Sequence, residues 1–511
     1  MTRPLQHPDE YVIGVDIGTG SLKGVLVTPD GTIVHTATRT HAPTRPRPGW
    51  VEMDALDGWW HLVASILAEL VLSAGSTRIA GVCVSGLGPC LVVTGDDLTP
   101  LRPAILYGID TRSGAEIGAI TERFGEASIL ARCGKNLTSQ AIGPKLAWIR
   151  DHEPEVWRAT RRWYSSQNYV VAQLTGEWVI DHHTASQCDP LYDIRRQDWA
   201  YDWAGELFPE LALPRLVWPS DIVGVINAQA SDMTGLPVGT PVVAGTVDAW
   251  AEAFSVGVRR PGDLMLMYGS TMFMVQVLPA PAVYPGLWTT SGVEASSHTL
   301  AAGMATSGSV TRWFQELTGG VDFEQLVREA ASVRPGAEGL IVLPYFAGER
   351  SPIFDPDARG LILGLTLSHG REHITRAIYE GVGYGLRQNL EMLDDVVGPP
   401  ARVVAVGGGT NGGLWPQIVS DICRTTQVIP AITTGASYGD ALLAAIGVGL
   451  TDKNTDWTVV ERIVEPNAEN ASVYDDLYAI FREIYPATQT SMHQLAAVQR
   501  QESVQSTTLS K

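Results

Sequence analysis

The sequence predicts an α/β protein of two large domains, and three observations carry that reading. A pattern of apolar strand, glycine turn and apolar strand occurs twice, half a chain apart, at Tyr11–Val27 and at Leu264–Val277. Alternating strand and helix patterns follow both hairpins, the signature of α/β layers, and a hairpin opening each half implies a mixed rather than all-parallel sheet. The length of 511 residues exceeds what one core organises.

The elements can be read in order. After the first hairpin, Thr32–Thr38 alternates apolar and polar residues and extends the sheet. Pro43–Pro48 is a Pro/Arg-rich loop, and Trp59–Ser73 has a helical pattern. Ile79–Val84 is a buried strand that ends at the turn Ser85–Pro89. Pro144–Glu153 and Tyr169–Leu174 read as helices, the second stopped by Thr175-Gly176. Val238–Ala244 is another short apolar strand, and it runs directly into a helix opened by Gly245-Thr246-Val247-Asp248. Ser255–Gly262 holds Gly257, Pro261 and Gly262 and is the expected junction. The predicted domains are therefore 1–255 and 256–497, with 498–511 a disordered Gln/Ser/Thr-rich tail. The second half adds a long helix near His373–Asp395, a strand at Arg402–Val406 and an Ala-rich helix at Ser437–Ile446.

Composition narrows the function classes. Hydrophobic residues make up 45% and charged residues 18%, which excludes a disordered chain. A net charge of −19 disfavours nucleic acid and anionic membranes as partners, while leaving a Mg²⁺-bound nucleotide acceptable. The five cysteines form no C-x-x-C pair and read as reduced thiols of a cytoplasmic protein. The first residues lack an apolar leader pattern. Such a chain could pair as a homodimer.

Both glycine turns offer backbone N–H groups and hydroxyls to one point, the arrangement that cradles phosphate: Gly18, Thr19, Gly20 and Ser21 in the first, Gly269, Ser270 and Thr271 in the second. Two matched cradles suggest a duplicated fold whose halves close on one nucleotide. Asp16 and Asp248 each sit just past a buried strand beside glycine and threonine. Asp248 stands in the first turn of a predicted helix, whose positive end favours an ionised carboxylate. It could take a proton from a substrate hydroxyl, or simply cap the helix. Asp16 could face Mg²⁺ through water, or bond to turn amides. Gly407-x-Gly409-x-x-Gly412 follows a strand, but no acid lies about 20 residues on, as a dinucleotide fingerprint requires. We read Gly408, Gly409, Thr410 and Asn411 as a platform where a nucleotide meets the backbone. His182-His183 and the pair His369 and His373 lack zinc-site companions and read as packing or surface residues.

Together these residues resemble the FGGY family of carbohydrate kinases. Asp16–Lys23 is similar to the family's first phosphate loop, Arg102–Arg112 to its sugar-side segment, and Gly245–Asp248 to the segment carrying the catalytic base. Gly360–Leu365 followed by His373–Glu380 fits the C-terminal signature at every position. Two departures stand out. Ile142 replaces the small hydroxyl residue or proline expected three before Lys145. Leu87-Gly88-Pro89 follows Gly86 where xylulokinases carry Gln-Met-His.

The resemblance implies two ribonuclease-H-like domains of the actin-like ATPase type with a central cleft. It implies ATP and Mg²⁺ as cofactors and phosphorylation of a small sugar, foremost a ketopentose such as xylulose or ribulose. Asp248 would be the base; Gly18–Ser21, Lys23 and Gly269–Thr271 would hold phosphates; Gly408–Asn411 would lie along adenosine. Gly88, Pro89, Tyr107, Asp110 and Asp248 would meet the sugar. The alternative is an actin-like or chaperone-type ATPase that phosphorylates no sugar.

Overall fold

The computed structural model describes residues 10–76, 78–432 and 434–509. The chain forms two compact units, each built on its own sheet. The first comprises residues up to Pro261 together with Val277–Leu300 and Thr434–Thr458, and the second comprises Gly262–Gln276, Ala301–Thr433 and the remainder from Val459. Two later stretches of chain thus belong to the first unit, a non-contiguity that no local pattern announces.

The first sheet contains β1 (Glu10–Ile17), β2 (Ser21–Val27), β3 (Ile33–Thr40), β4 (Arg78–Gly86), β5 (Ile222–Val225) and β6 (Pro241–Val243), in the order β5-β6-β4-β1-β2-β3. β1, β2 and β3 form an antiparallel meander; β1, β4 and β6 run parallel; β5 is antiparallel to β6. Glycines let helices approach both faces closely. Gly14 pairs with Val25 and Val15 with Gly24, so the pleat turns Gly14 and Gly24 to opposite faces. A Cβ on Gly24 would meet Ile66 of the helix His61–Ala74 at 2.3 Å, and a Cβ on Gly14 would meet the carbonyl of Ser437 at 2.0 Å. The Ser437 side belongs to the helix Ala436–Gly447, which supplies the second face of the first unit.

The second unit repeats the pairing. β7 (Asp263–Tyr268) and β8 (Met272–Leu278) form the hairpin, β7 runs parallel to β9 (Arg402–Val406), β9 parallel to β10 (Gln427–Pro430), and β10 antiparallel to β11 (Val460–Val464). The sequence of pairings outward from each hairpin is the same in both units: antiparallel, parallel, parallel, antiparallel. In this unit the long helix Arg371–Val397 buries Ala377 and Ile378 in a cluster with Val310, Phe314, Leu340 and Val342. The last helix runs Ala471–Leu509, so the tail expected to be disordered from Val498 is helical through Leu509, where it continues a helix already anchored by buried Phe481 and Ala496.

Candidate active site

In the first unit the parallel strands β1, β4 and β6 align their carboxyl ends, the edge at which open α/β sheets bind ligands. Asp16 at the end of β1 pairs in register with Ser85 of β4, and Gly86 bridges to Val247, one residue before Asp248. Gly245 makes this approach possible. Its φ is +70°, and a Cβ there would lie 1.9 Å from the Val84 carbonyl. Gly88 serves the same segment, since a Cβ on it would meet Val247 Cγ2 at 2.2 Å. Thr246 donates to Asp181 Oδ1 at 2.8 Å and further secures the run into Asp248.

Asp248 opens the helix Asp248–Ser255 and accepts the Ala249 N–H at 2.7 Å. Burial raises its pKa to about 6, against which that N–H bond acts. One helical turn on, Glu252 is raised to about 7 by burial and by Asp248, opposed by Lys23. Burial, then Asp248 and Glu252, push Asp16 well above the usual carboxylate range, with Ser85 and Lys23 opposing. Asp440 is raised too, first by burial. Ser85 Oγ donates to Asp440 Oδ2 at 2.6 Å and lies 3.3 Å from Asp16 Oδ1. Four carboxyls thus stand near one strand edge with raised proton affinity, each first through burial, with Asp248 and Glu252 adding to the rise at Asp16, a combination that marks functional sites.

The first glycine turn sits beside them. Gly18 donates its N–H to Ser21 O at 3.0 Å, and Thr19 Oγ1 lies 3.0 Å from Tyr107 OH. Lys23 Nζ donates to the carbonyl of Thr434 at 3.0 Å. That hydrogen bond joins Tyr107, expected at the sugar, to Thr19, expected at the phosphate.

In the second unit the turn Gly269–Thr271 docks on the start of the helix Gly308–Leu317. Gly269 O accepts Gly308 N–H at 3.0 Å, while Ser270 O accepts Ser307 N–H at 2.9 Å and Ser309 N–H at 3.1 Å. After β9 the chain makes a short turn at Gly408–Thr410. Gly408 and Asn411 are exposed, and a Cβ on Gly408 would meet nothing within 4 Å.

Both halves of the chain match one family. Residues 11–255 match the N-terminal domain, and residues 264–448 the C-terminal domain, of the FGGY family of carbohydrate kinases. This chain belongs to that family. The FGGY kinase is 29% identical to the xylulose kinase of Lactococcus lactis over 498 residues, 95% of this chain and 98% of that one. It is 27% identical to the gluconokinase of Bacillus subtilis over 514 residues, 96% of this chain and 98% of that one. The crystal structure of xylulose kinase from Rhodospirillum rubrum matches with a TM-score of 0.87 at 33% identity, covering 94% of this chain and 100% of that one.

Three of the expected site residues have structural partners of their own in this FGGY kinase. Asp110, assigned to the sugar, is fully buried, and both its oxygens are taken: Arg112 donates to both, and Val51 N–H reaches Oδ2 at 2.6 Å. It is a strut of the segment, because a buried carboxylate is held by a buried guanidinium. Gly409 is small for packing, since its Cβ would lie 2.9 Å from Trp415 and from Tyr268 Cβ. Thr410 is buried and donates its hydroxyl to Gly407 O at 2.8 Å, so its side chain turns inward. Three site residues went unread in the sequence. Glu252 stands four residues after Asp248, the spacing that shares a helix face, and could have been found. Ser85 was read only as part of a turn, and Asp440 within an Ala-rich helix; neither carries a local signal.

Proposed function

We propose that this FGGY kinase transfers the γ-phosphate of ATP to a hydroxyl of an uncharged small sugar, foremost a ketopentose such as xylulose or ribulose, with Asp248 as general base. The observation that carries the base assignment is the placement of Asp248. Its carboxylate stands at a helix start, holds one backbone N–H, and titrates near 6, close to the pH at which it must accept a proton. The hydroxyl proton passes to Asp248 as the oxygen attacks the γ-phosphorus and the bond from that phosphorus to the bridging oxygen breaks, releasing ADP, while the N–H groups of the Gly18–Ser21 turn take up phosphate charge.

Mg²⁺ suits this acidic edge. Among the described residues no group of three or more His, Cys, Asp or Glu is arranged to hold a metal directly, yet Asp16 adjoins Asp248 and Glu252 and faces Lys23. That donor set fits an ion that keeps its water shell, with Asp16 holding it through water; bound with ATP, Mg²⁺ supplies neutralisation of phosphate charge.

The preference for an uncharged acceptor rests on where the cations are spent. Arg112 is bound by Asp110 and Glu52, Arg102 by Glu52 and Glu153, and Lys135 by Asp189. Lys145 is enclosed, donates to Ser139 O and Ala141 O, and is lowered to about 8 by burial. A sugar acid would bring a further negative charge to an edge already crowded with carboxyls. The test is ADP release across a panel of ketoses, aldoses, polyols and gluconate. Turnover is expected with a ketopentose; gluconate as the preferred acceptor would refute the substrate assignment while leaving the kinase intact, and sugar-independent hydrolysis alone would restore the plain ATPase.

A further inference from the structure

His41 follows β3 and lies between two glycine carbonyls. Its Nε2 is 2.7 Å from Gly18 O in the turn between β1 and β2, and its Nδ1 is 2.9 Å from Gly58 O. Its backbone N–H donates to Gly20 O at 3.2 Å. A carbonyl oxygen has no hydrogen to give. Both ring contacts are therefore hydrogen bonds only when both ring nitrogens carry hydrogen; a neutral ring would set a lone pair against one carbonyl. Gly58 is itself a firm anchor. Its N–H donates to Asp54 O at 2.9 Å, a Cβ on it would meet Met53 Sδ at 2.5 Å, and buried Trp59 and Trp60 follow it.

One residue thus ties back the carbonyls of Gly18 and Gly20, on either side of Thr19. Carbonyl oxygens repel phosphate oxygens, so holding them leaves the N–H groups and hydroxyls of the turn to face an anion. We infer that His41 is a positioning residue that shapes the Gly18–Ser21 turn for a polyanion, the phosphates of ATP. The inference rests on the nucleotide reading of that turn given above.

Calorimetry with MgATP and with adenosine separates positioning from folding. His41→Ala and His41→Gln should weaken MgATP about tenfold or more, the alanine variant at least as much, while adenosine affinity stays within about twofold. An unchanged MgATP affinity, or equal losses for MgATP and adenosine, would each overturn the inference. A wild-type protein that binds neither ligand would instead overturn the nucleotide reading beneath it, before any variant is made.

Discussion

Replacing Asp248 with asparagine should do two opposite things at once. Asn keeps the size of the side chain and removes the proton acceptor, so kcat should fall on the order of 10²–10⁴-fold with little change in nucleotide affinity. The same change should stabilise the unliganded protein. Burial raises the Asp248 carboxyl from 3.8 to about 6, so the folded state holds its proton more tightly than the unfolded chain. At 1.36 kcal/mol per pH unit, the ionised form costs folding on the order of 3 kcal/mol above about pH 6. Because the residue keeps partial exposure, that figure is an upper value. The sign follows directly. The cost is present above the folded pKa, shrinks as pH falls through about 6, and is absent below the unfolded value. Scanning calorimetry of both proteins should show Asp248→Asn melting a few degrees higher at about pH 8, with the gap closing toward about pH 4. Near-normal turnover of the variant would remove Asp248 as the base. A variant less stable than the parent at about pH 8 would show that the carboxylate is not held at a cost, and the reasoning from burial would fail.

Three further outcomes follow. The acid limb of kcat/KM should fall away below about pH 6, because the base works only when ionised; a limb near pH 4 would indicate a carboxyl of ordinary titration. A Cβ on Gly408 would meet no atom within 4 Å, so Gly408→Val should retain its Tm while the Kd for ATP rises; an unchanged Kd would place the nucleotide elsewhere. Gly14→Ala puts a methyl 2.0 Å from the Ser437 carbonyl and 2.4 Å from the Ala441 N, both backbone, and should cost about 3 kcal/mol in denaturant unfolding; Gly20→Ala, with open space, is the matched control and should change stability little.

The fold class was legible because it is written in local periodicity. Alternating apolar residues on both sides of Gly18–Ser21 and Gly269–Thr271 specify hairpins, and a strand followed by glycine, threonine and aspartate specifies the turn into the helix at Asp248. Those patterns reside in neighbouring residues and survive without the rest of the chain. What lay outside local pattern was decided by contacts over long separations. Ser85 and Asp440, 355 residues apart, become hydrogen-bond partners only once the helix Ala436–Gly447 packs on the first sheet. Arg112 and the Val51 N–H enclose the carboxylate of Asp110, and Trp415 and Tyr268 leave no room for a Cβ on Gly409, facts that no local pattern announces. The sequence by itself determined the two hairpins, the α/β layering and the glycines that permit close approach. Only the tertiary structure decided which carboxyls are buried into raised proton affinity and which are spent in ion pairs, because burial and charge proximity are properties of space rather than of chain order.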